Sequence, residues 1–473
     1  MEENVRKNSS FLFVGIVIIL GIFLRLGMLV KNVSFSFDES ALAYNILSLK
    51  YVNLFDILHL QQVSPPLFLV GTKWIVSLFS TSEIFFRSMP FFFSCGSLIA
   101  FYYLLKEIFG DNSSPINFSM LLFAINPKMI YFGAEFKPYT LDVFFAILIF
   151  YLFLKLDLKS YDWKKLLIFG TGLALTLWFS FPSAILVFVG MLTLLISQKE
   201  YKKWLILFAP ILVGFGLFGL YFANIYSFYN NFMTSLFAGD FNHFTLPVAY
   251  FFNNEIPFAI LIISIILPVG IIYFMAEKKQ FEISFVMWTF ICTIMLSQVH
   301  LYPAYQHFML FLLPYTIIIL AMVFASLIRK KNFQSRLVLI FVLLSLIPIS
   351  VNYKNSESRE LTEYFLENVN ANDLVIVDNI ALPDFLYYTR DTEMKNKIIV
   401  PFERKHGKIL YKLKSENNFP TEYKSFWYYA TRTKDFDKVI EKDGNLELIN
   451  DYNIENKMIT KNGGVFKVSK IEN

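Results

Sequence analysis

Cysteine is almost missing: Cys95 and Cys292 are the only two in 473 residues, and both fall inside apolar runs. Cysteines placed that way read as buried packing, which excludes a disulfide framework and a cysteine-spaced zinc site. Charge is scarce as well. Asp, Glu, Lys and Arg make up 17% of the chain, where a soluble domain carries about a quarter. There is no Gly-rich phosphate loop, internal repeat or low-complexity tract, so P-loop and solenoid architectures drop out. The net charge of +5 is small, and its basic residues sit in short loops between apolar runs. Such a pattern encodes membrane topology and argues against nucleic-acid binding.

What is present in excess is apolar side chain. Hydrophobic residues reach 56% and aromatics 18%, with a mean hydropathy of +0.52. They come in runs of roughly 15–25 residues, the length that crosses a bilayer. The expected fold is a polytopic α-helical membrane protein with about eleven spans: 11–31, 84–106, 116–133, 138–155, 164–180, 182–197, 204–222, 256–276, 281–299, 306–328 and 335–352. Arg6 and Lys7 ahead of an apolar run imitate a signal peptide. No small-residue cleavage site follows, and Arg25 interrupts the run, so an uncleaved first span is expected.

Residues 65–80 are apolar and nearly long enough to span, but they open on Pro65-Pro66 and contain Lys73. Counting them as a span inverts every later loop. Read as an interfacial helix, they leave the cytoplasmic loops holding Lys106, Lys155, Lys159, Lys164, Lys165, Lys199, Lys202, Lys203, Lys278, Lys279, Arg329, Lys330, Lys331 and Arg336. The opposite loops between 133 and 304 then hold one basic residue, Lys137. The positive-inside rule therefore places the N-terminus in the cytoplasm, and the C-terminal segment in the periplasm or outside the cell. The setting is the inner (plasma) membrane. Carboxylates and histidines gather on the outer face: Asp38, Glu39, His59, Glu135, Asp240, His243, Glu255, His300 and His307.

Two domains are expected. Residues 1–354 form the transmembrane part, with a first external loop at 32–83. Residues 355–473 are polar, with short β-like runs at 374–377, 397–400, 426–429 and 465–468 and helical periodicity at 360–368 and 435–442. They read as an external α/β domain of plausible size. Gly463-Gly464 is expected to be a hairpin turn.

Four motifs stand out. Asp38-Glu39 follows the first span and opens the amphipathic stretch 40–49. A helix start, where acidic residues suit the dipole, explains one carboxylate well and a pair adequately. Pro65-Pro66 suits a helix start, and Arg87 at a span end suits snorkelling. Glu135-Phe136-Lys137-Pro138-Tyr139, with Asp142 beyond, puts three charges and a tyrosine in one inter-span turn. No purely structural turn needs that.

In this order and spacing the motifs resemble the GT-C glycosyltransferases that use polyprenyl-phosphate sugars. Among these are the protein O-mannosyltransferases, the aminoarabinose transferases of lipid A and a large bacterial group of family 39. The resemblance covers residues 10–350 and is most specific over 35–145. It implies a GT-C fold and a polyprenyl-phosphate sugar donor, with a lipid bilayer and a hydroxyl acceptor (protein, lipid or glycan) as the other partners. Asp38 takes the place of the family's catalytic carboxylate, with Glu39 beside it. Glu135 or Asp142 takes the place of a second carboxylate, and Arg87 and Lys137 those of residues that contact the lipid phosphate. Some members have arginine at position 137 and an acidic residue at position 64, where this chain has lysine and serine. A divalent metal, magnesium or manganese, held by Glu39 and Glu135 is the candidate cofactor. Tyr139, Asp142, His300 and His307 join Arg87 and Lys137 as candidate substrate-binding residues.

A sugar on a polyprenyl monophosphate already has a good leaving group. The reaction then needs a base for the acceptor, for which Asp38 is the candidate, and cations near the phosphate. Direct displacement inverts the anomeric carbon. Two other readings stay open. A flippase or transporter of lipid-linked sugar requires charged residues within spans and two related halves. An O-antigen ligase or polymerase requires a large periplasmic loop in the second half.

Overall fold

The structure is a computed structural model. It describes residues 2–198, 200–229, 280–303, 305–330, 357–370, 373–392, 398–399, 402–405, 408–411, 425–431, 452–460 and 463–470. The expected spans 256–276 and 335–352, the expected helix at 435–442, and Asp240, His243 and Glu255 lie outside the described residues.

The helices in chain order are α1 (Glu2–Val30), α2 (Phe37–Ser48), α3 (Pro66–Leu78), α4 (Glu83–Phe109), α5 (Ser113–Ala124), α6 (Pro127–Phe132) and α7 (Tyr139–Lys155). They continue with α8 (Trp163–Phe179), α9 (Ser183–Ser197), α10 (Tyr201–Phe228), α11 (Gln280–Gln298), α12 (Leu313–Lys330), α13 (Ser358–Asn368) and α14 (Leu382–Tyr388). Four of them are long and apolar enough to cross a membrane: α1 from Ser10, α4, α10 and α11. This is a helical membrane protein. The 13 residues of α3 rise only ~20 Å, short of the ~30 Å hydrocarbon core. The run 65–80 is thus too short as a helix to span.

The chain divides into two compact units, residues 1–31, 64–75 and 84–352, and residues 32–63, 76–83 and 353–473. In the first, the expected span 116–133 is not one helix. α5 stops at Ala124, and α6 starts after Asn126, whose side-chain oxygen accepts from the backbone N–H of Lys128 and Met129, both at 3.1 Å. Pro127 follows as a favoured first helical residue. Broken helices survive at membrane depth only where neighbours satisfy the freed backbone groups. Arg25 does that for α5. Its guanidinium donates to Ala124 O at 2.9 Å and Phe123 O at 3.4 Å, and also to Gly21 O at 2.9 Å and Ser94 Oγ at 2.8 Å. Ser94 in turn donates to Met129 O at 3.0 Å. The arginine that interrupts the first apolar run is therefore wholly buried and clamps α1, α4 and the α5–α6 break.

Aromatic and small residues complete this unit. Phe150 stacks on Phe285 at 4.4 Å, and both rings meet Tyr315, whose hydroxyl donates to Ala146 O at 2.8 Å. α8 and α10 approach closely through Gly170, Ala174 and Gly214, the usual means by which apolar helices gain contact within lipid. A Cβ on Gly170 would stand 2.4 Å from Leu207 O.

The second unit is built on a five-stranded sheet of order β2-β1-β5-β7-β6. Its strands are β1 (Val375–Val377), β2 (Ile398–Ile399), β5 (Ser425–Thr431), β6 (Tyr452–Thr460) and β7 (Gly463–Lys470), while β3 (Phe402–Lys405) and β4 (Lys408–Tyr411) pair separately. β1 lies parallel to β2 and β5, and β7 antiparallel to β5 and β6. Alternation divides the side chains: Val375, Val377, Trp427 and Tyr429 join Leu361, Phe365, Phe385 and Val465 in the main core, while Ile376, Phe426, Ala430 and Phe466 pack on the other face. Ala41 and Leu60, from the first loop, belong to that main core. Gly463-Gly464 is not the turn but the start of β7. A Cβ on Gly463 would stand 2.7 Å from Ala430 O, so close strand approach explains the glycine there.

Gly170→Val tests the helix contact in the first unit. Because the obstacle is a backbone oxygen rather than a movable side chain, overpacking should cost about 1–3 kcal/mol. Thermal unfolding in detergent should show a lowered Tm.

Candidate functional site

α2 begins on the carboxylate motif, and its two acids have different surroundings. Ser36 is the residue before the helix. Glu39, three residues on, turns back to accept the Ser36 backbone N–H at 2.8 Å, the reciprocal half of a capping box. Glu39 is 3% exposed. Asp38 is exposed, and its Oδ1 accepts from Gln62 Nε2 at 3.3 Å. Gln62 is held by two preceding residues with left-handed backbone, Leu60 (φ 60°) and Gln61 (φ 51°). The loop between them is closed by Asn45, which accepts the His59 N–H at 2.6 Å and donates to its carbonyl at 3.0 Å. A helix start thus accounts for Glu39 and leaves Asp38 open to solvent.

In the helical unit, three motifs meet on one ring. Phe136, fully buried, packs against Phe68 of α3 at 5.5 Å and Phe86 of α4 at 5.2 Å. Phe68 belongs to the Pro65-Pro66 motif, Phe86 precedes Arg87, and Phe136 separates Glu135 from Lys137. Arg87 is 2% exposed and Lys137 8%; Glu135 is half-buried. The turn is tight, with the Lys137 N–H donating to Glu135 O at 2.8 Å. α7 starts directly after it. Its register is tied to α4 where Thr140 Oγ1 donates to Pro90 O at 2.9 Å.

Tyr139, the first residue of α7, is brought to His307: their rings lie 5.1 Å apart. Phe308 lies beside both, and Tyr305 stacks near His307. Asp142, in the first turn of α7, is buried, and its side chain meets the Ser180 hydroxyl at the α8–α9 junction. The Ser183 hydroxyl, at the start of α9, is buried with no hydrogen-bond partner among the described residues. Burial, then the Asp142 carboxylate, push the Tyr302 phenol well above its ordinary value. Its hydroxyl donates to Phe308 O at 2.7 Å. His300, by contrast, is exposed at the end of α11 with φ 58°.

Glu39 is occupied with its own helix start. Among the described residues, no three His, Cys, Asp or Glu side chains converge as metal ligands. No step below is routed through a divalent ion.

Sequence reasoning missed Phe68, Phe86 and Phe136, which look like ordinary apolar residues in a chain with 55 phenylalanines. It also missed Glu83, a buried carboxylate at the start of α4. Its signal was available: an acid immediately before an apolar run, four residues ahead of Arg87.

Residues 63–228 match the family described as dolichyl-phosphate-mannose-protein mannosyltransferase. Over this stretch the chain resembles the GT-C glycosyltransferases. The matched residues include Pro65-Pro66, Arg87, Glu135, Lys137, Tyr139 and Asp142, while Asp38 and Glu39 precede them. A solved structure similar to this one is the archaeal oligosaccharyltransferase AglB from Archaeoglobus fulgidus in complex with an inhibitory peptide and a dolichol-phosphate. The identity is 12%, the TM-score 0.47 and the coverage 81% of this chain. This chain spans 63% of the length of that one. No curated protein matches the sequence.

The capping role of Glu39 makes a simple prediction. Glu39→Ala should lower stability by about 0.5–2 kcal/mol, the usual worth of a helix-start contact. Glu39→Gln keeps an acceptor oxygen at the same position and should unfold within experimental error of wild type.

Proposed function

We propose that this protein is an inverting glycosyltransferase that moves a sugar from a polyprenyl-phosphate donor to a hydroxyl acceptor at the outer face of the membrane. The observation that carries the reading is the family match over 63–228, which spans the Arg87 and Glu135–Asp142 motifs. Two further features support it: the buried cations Arg87 and Lys137, and an exposed carboxylate beside a capped one. The bilayer supplies the setting, because a polyprenyl chain is itself a membrane solute.

In the proposed reaction Asp38 accepts the proton of the acceptor hydroxyl. The acceptor oxygen forms the new bond to the anomeric carbon from the face opposite the phosphate. The bond from anomeric carbon to phosphate oxygen breaks, and both its electrons leave with the polyprenyl phosphate. Negative charge grows on that leaving group, and Arg87 and Lys137 are the cations assigned to meet it. A charged donor in a partly dry site holds phosphate more strongly than a neutral one. Tyr139 and His307, whose rings already meet, are assigned to the sugar side, with Asp142 and the exposed His300 as further substrate-binding residues. The orientation of the chain, with its C-terminal segment in the periplasm or outside the cell, follows from the lysine-rich loops.

Radiolabel transfer by purified protein from a panel of polyprenyl-phosphate sugars tests this reading. Asp38→Asn removes a base but no packing group. It should cost about 10²–10⁴-fold in kcat with unchanged Tm, and near-wild-type turnover would remove Asp38 from the chemistry. Lys137→Met keeps the apolar stem and should weaken donor use at least tenfold in kcat/KM, with Lys137→Arg retaining more. Unchanged donor kinetics in Lys137→Met would leave Arg87 as the phosphate partner.

A further inference from the structure

The Asp38 turn is short, and its surroundings come from far along the chain. Phe35 and Ser40 bracket it. The Phe35 N–H donates to Glu83 Oε1 at 3.3 Å and to the Tyr388 hydroxyl at 2.9 Å. Glu83 also accepts from the Tyr388 hydroxyl and pairs with the Arg359 guanidinium. Arg359 donates in addition to Asn32 O at 2.9 Å. On the other side, Ser40 Oγ donates to Asp384 Oδ1 at 2.5 Å. Asp384 is fully buried and accepts from Ser358 and Thr431 as well, at 2.8 and 3.0 Å. The Phe35 ring lies 4.9 Å from that of Tyr387, and Ala41 sits in the core formed by the sheet and α13–α14.

Buried carboxylates are costly, so a fold retains them where satisfied networks specify one arrangement. Two such carboxylates, Glu83 and Asp384, sit on either side of a single exposed one. Only Ser36, Phe37, Asp38 and Glu39 lie between the two anchors, and Glu39 is used inside the turn. An acceptor-gripping module alone would have no need to grasp the turn from both ends.

We infer that the C-terminal segment is a positioning device for the Asp38 turn, with Arg359, Tyr388 and Asp384 as positioning residues acting through Phe35, Glu83 and Ser40. This rests on the transferase reading above, in which Asp38 is the base. A base must be held close to its productive geometry, and a displacement of about 1 Å can cost 10²-fold in rate. The positioning residues touch neither donor nor acceptor. Their loss should therefore appear in kcat and leave donor KM alone.

The test uses the full chain in detergent or nanodiscs, with two readouts on each variant. Arg359→Met should lower kcat at least tenfold, hold donor KM within twofold, and speed amide exchange over 37–42 at least tenfold. Arg359→Lys keeps the charge and should recover most of kcat. Ser40→Ala, which removes one hydroxyl on a small side chain, guards against a misfolded Arg359→Met and should show the same split in weaker form. Exchange as slow as wild type in both Arg359→Met and Ser40→Ala overturns the inference. So does fast exchange with kcat unchanged, or a loss confined to donor KM. Failure of the transferase reading looks different: wild type itself then transfers no sugar from any donor, and the inference falls with it.

Discussion

The Phe136 ring, wedged between Phe68 and Phe86, is the contact on which the charged turn of the helical unit depends. Charges at a membrane surface tend to seek water, and a lysine or arginine there usually snorkels away. Arg87 and Lys137 do not; both are buried. The aromatic triplet packs beside both of them in the chain, with Phe86 preceding Arg87 and Phe136 preceding Lys137. Apolar packing thus sets the position of the polar groups. That packing joins three stretches that are separate in the sequence, at Phe68, Phe86 and Phe136, and it turns three weak motifs into one constellation.

A second constraint is backbone hydrogen bonding in a medium without water. A chain that breaks a helix at membrane depth must satisfy the freed carbonyls. Arg25 meets that need for α5, and Asn126 meets the matching need at the start of α6. The break lets the chain turn at Gly133 and deliver Glu135–Lys137. Space at Gly133 is tight, since a Cβ would stand 3.0 Å from Ser94 Oγ and 3.1 Å from Met129 O. The same serine links Arg25 to Met129, so one small polar cluster supports both the break and the turn.

The second unit follows a different logic. Its sheet has an ordinary alternating core, but two first-loop residues, Ala41 and Leu60, are part of it. Polar contacts then complete the arrangement around Asn32–Ser40. The first loop is therefore no free linker; it shares a core with residues more than 300 positions later.

Composition and periodicity alone were enough for the membrane class, the helical architecture, the β-runs after residue 373 and the order of the charged motifs. These properties are local or additive: apolar length, alternation and charge bias can be read from a window of neighbouring residues. Asp38, Arg87, Glu135, Lys137 and Asp142 drew notice as candidates for the same reason, since charges are scarce in an apolar chain. Tertiary structure decided the rest. It split 116–133 into two helices because Arg25, a hundred residues away, could satisfy the freed carbonyls. It made Gly463 a strand residue because Ala430 O lies too near for a Cβ. It told Glu39 from Asp38, which adjacent positions and identical charge leave equivalent in the sequence. Only the folding of Ser36 back onto Glu39, and of Gln62 toward Asp38, gives one carboxylate to the helix and leaves the other to solvent.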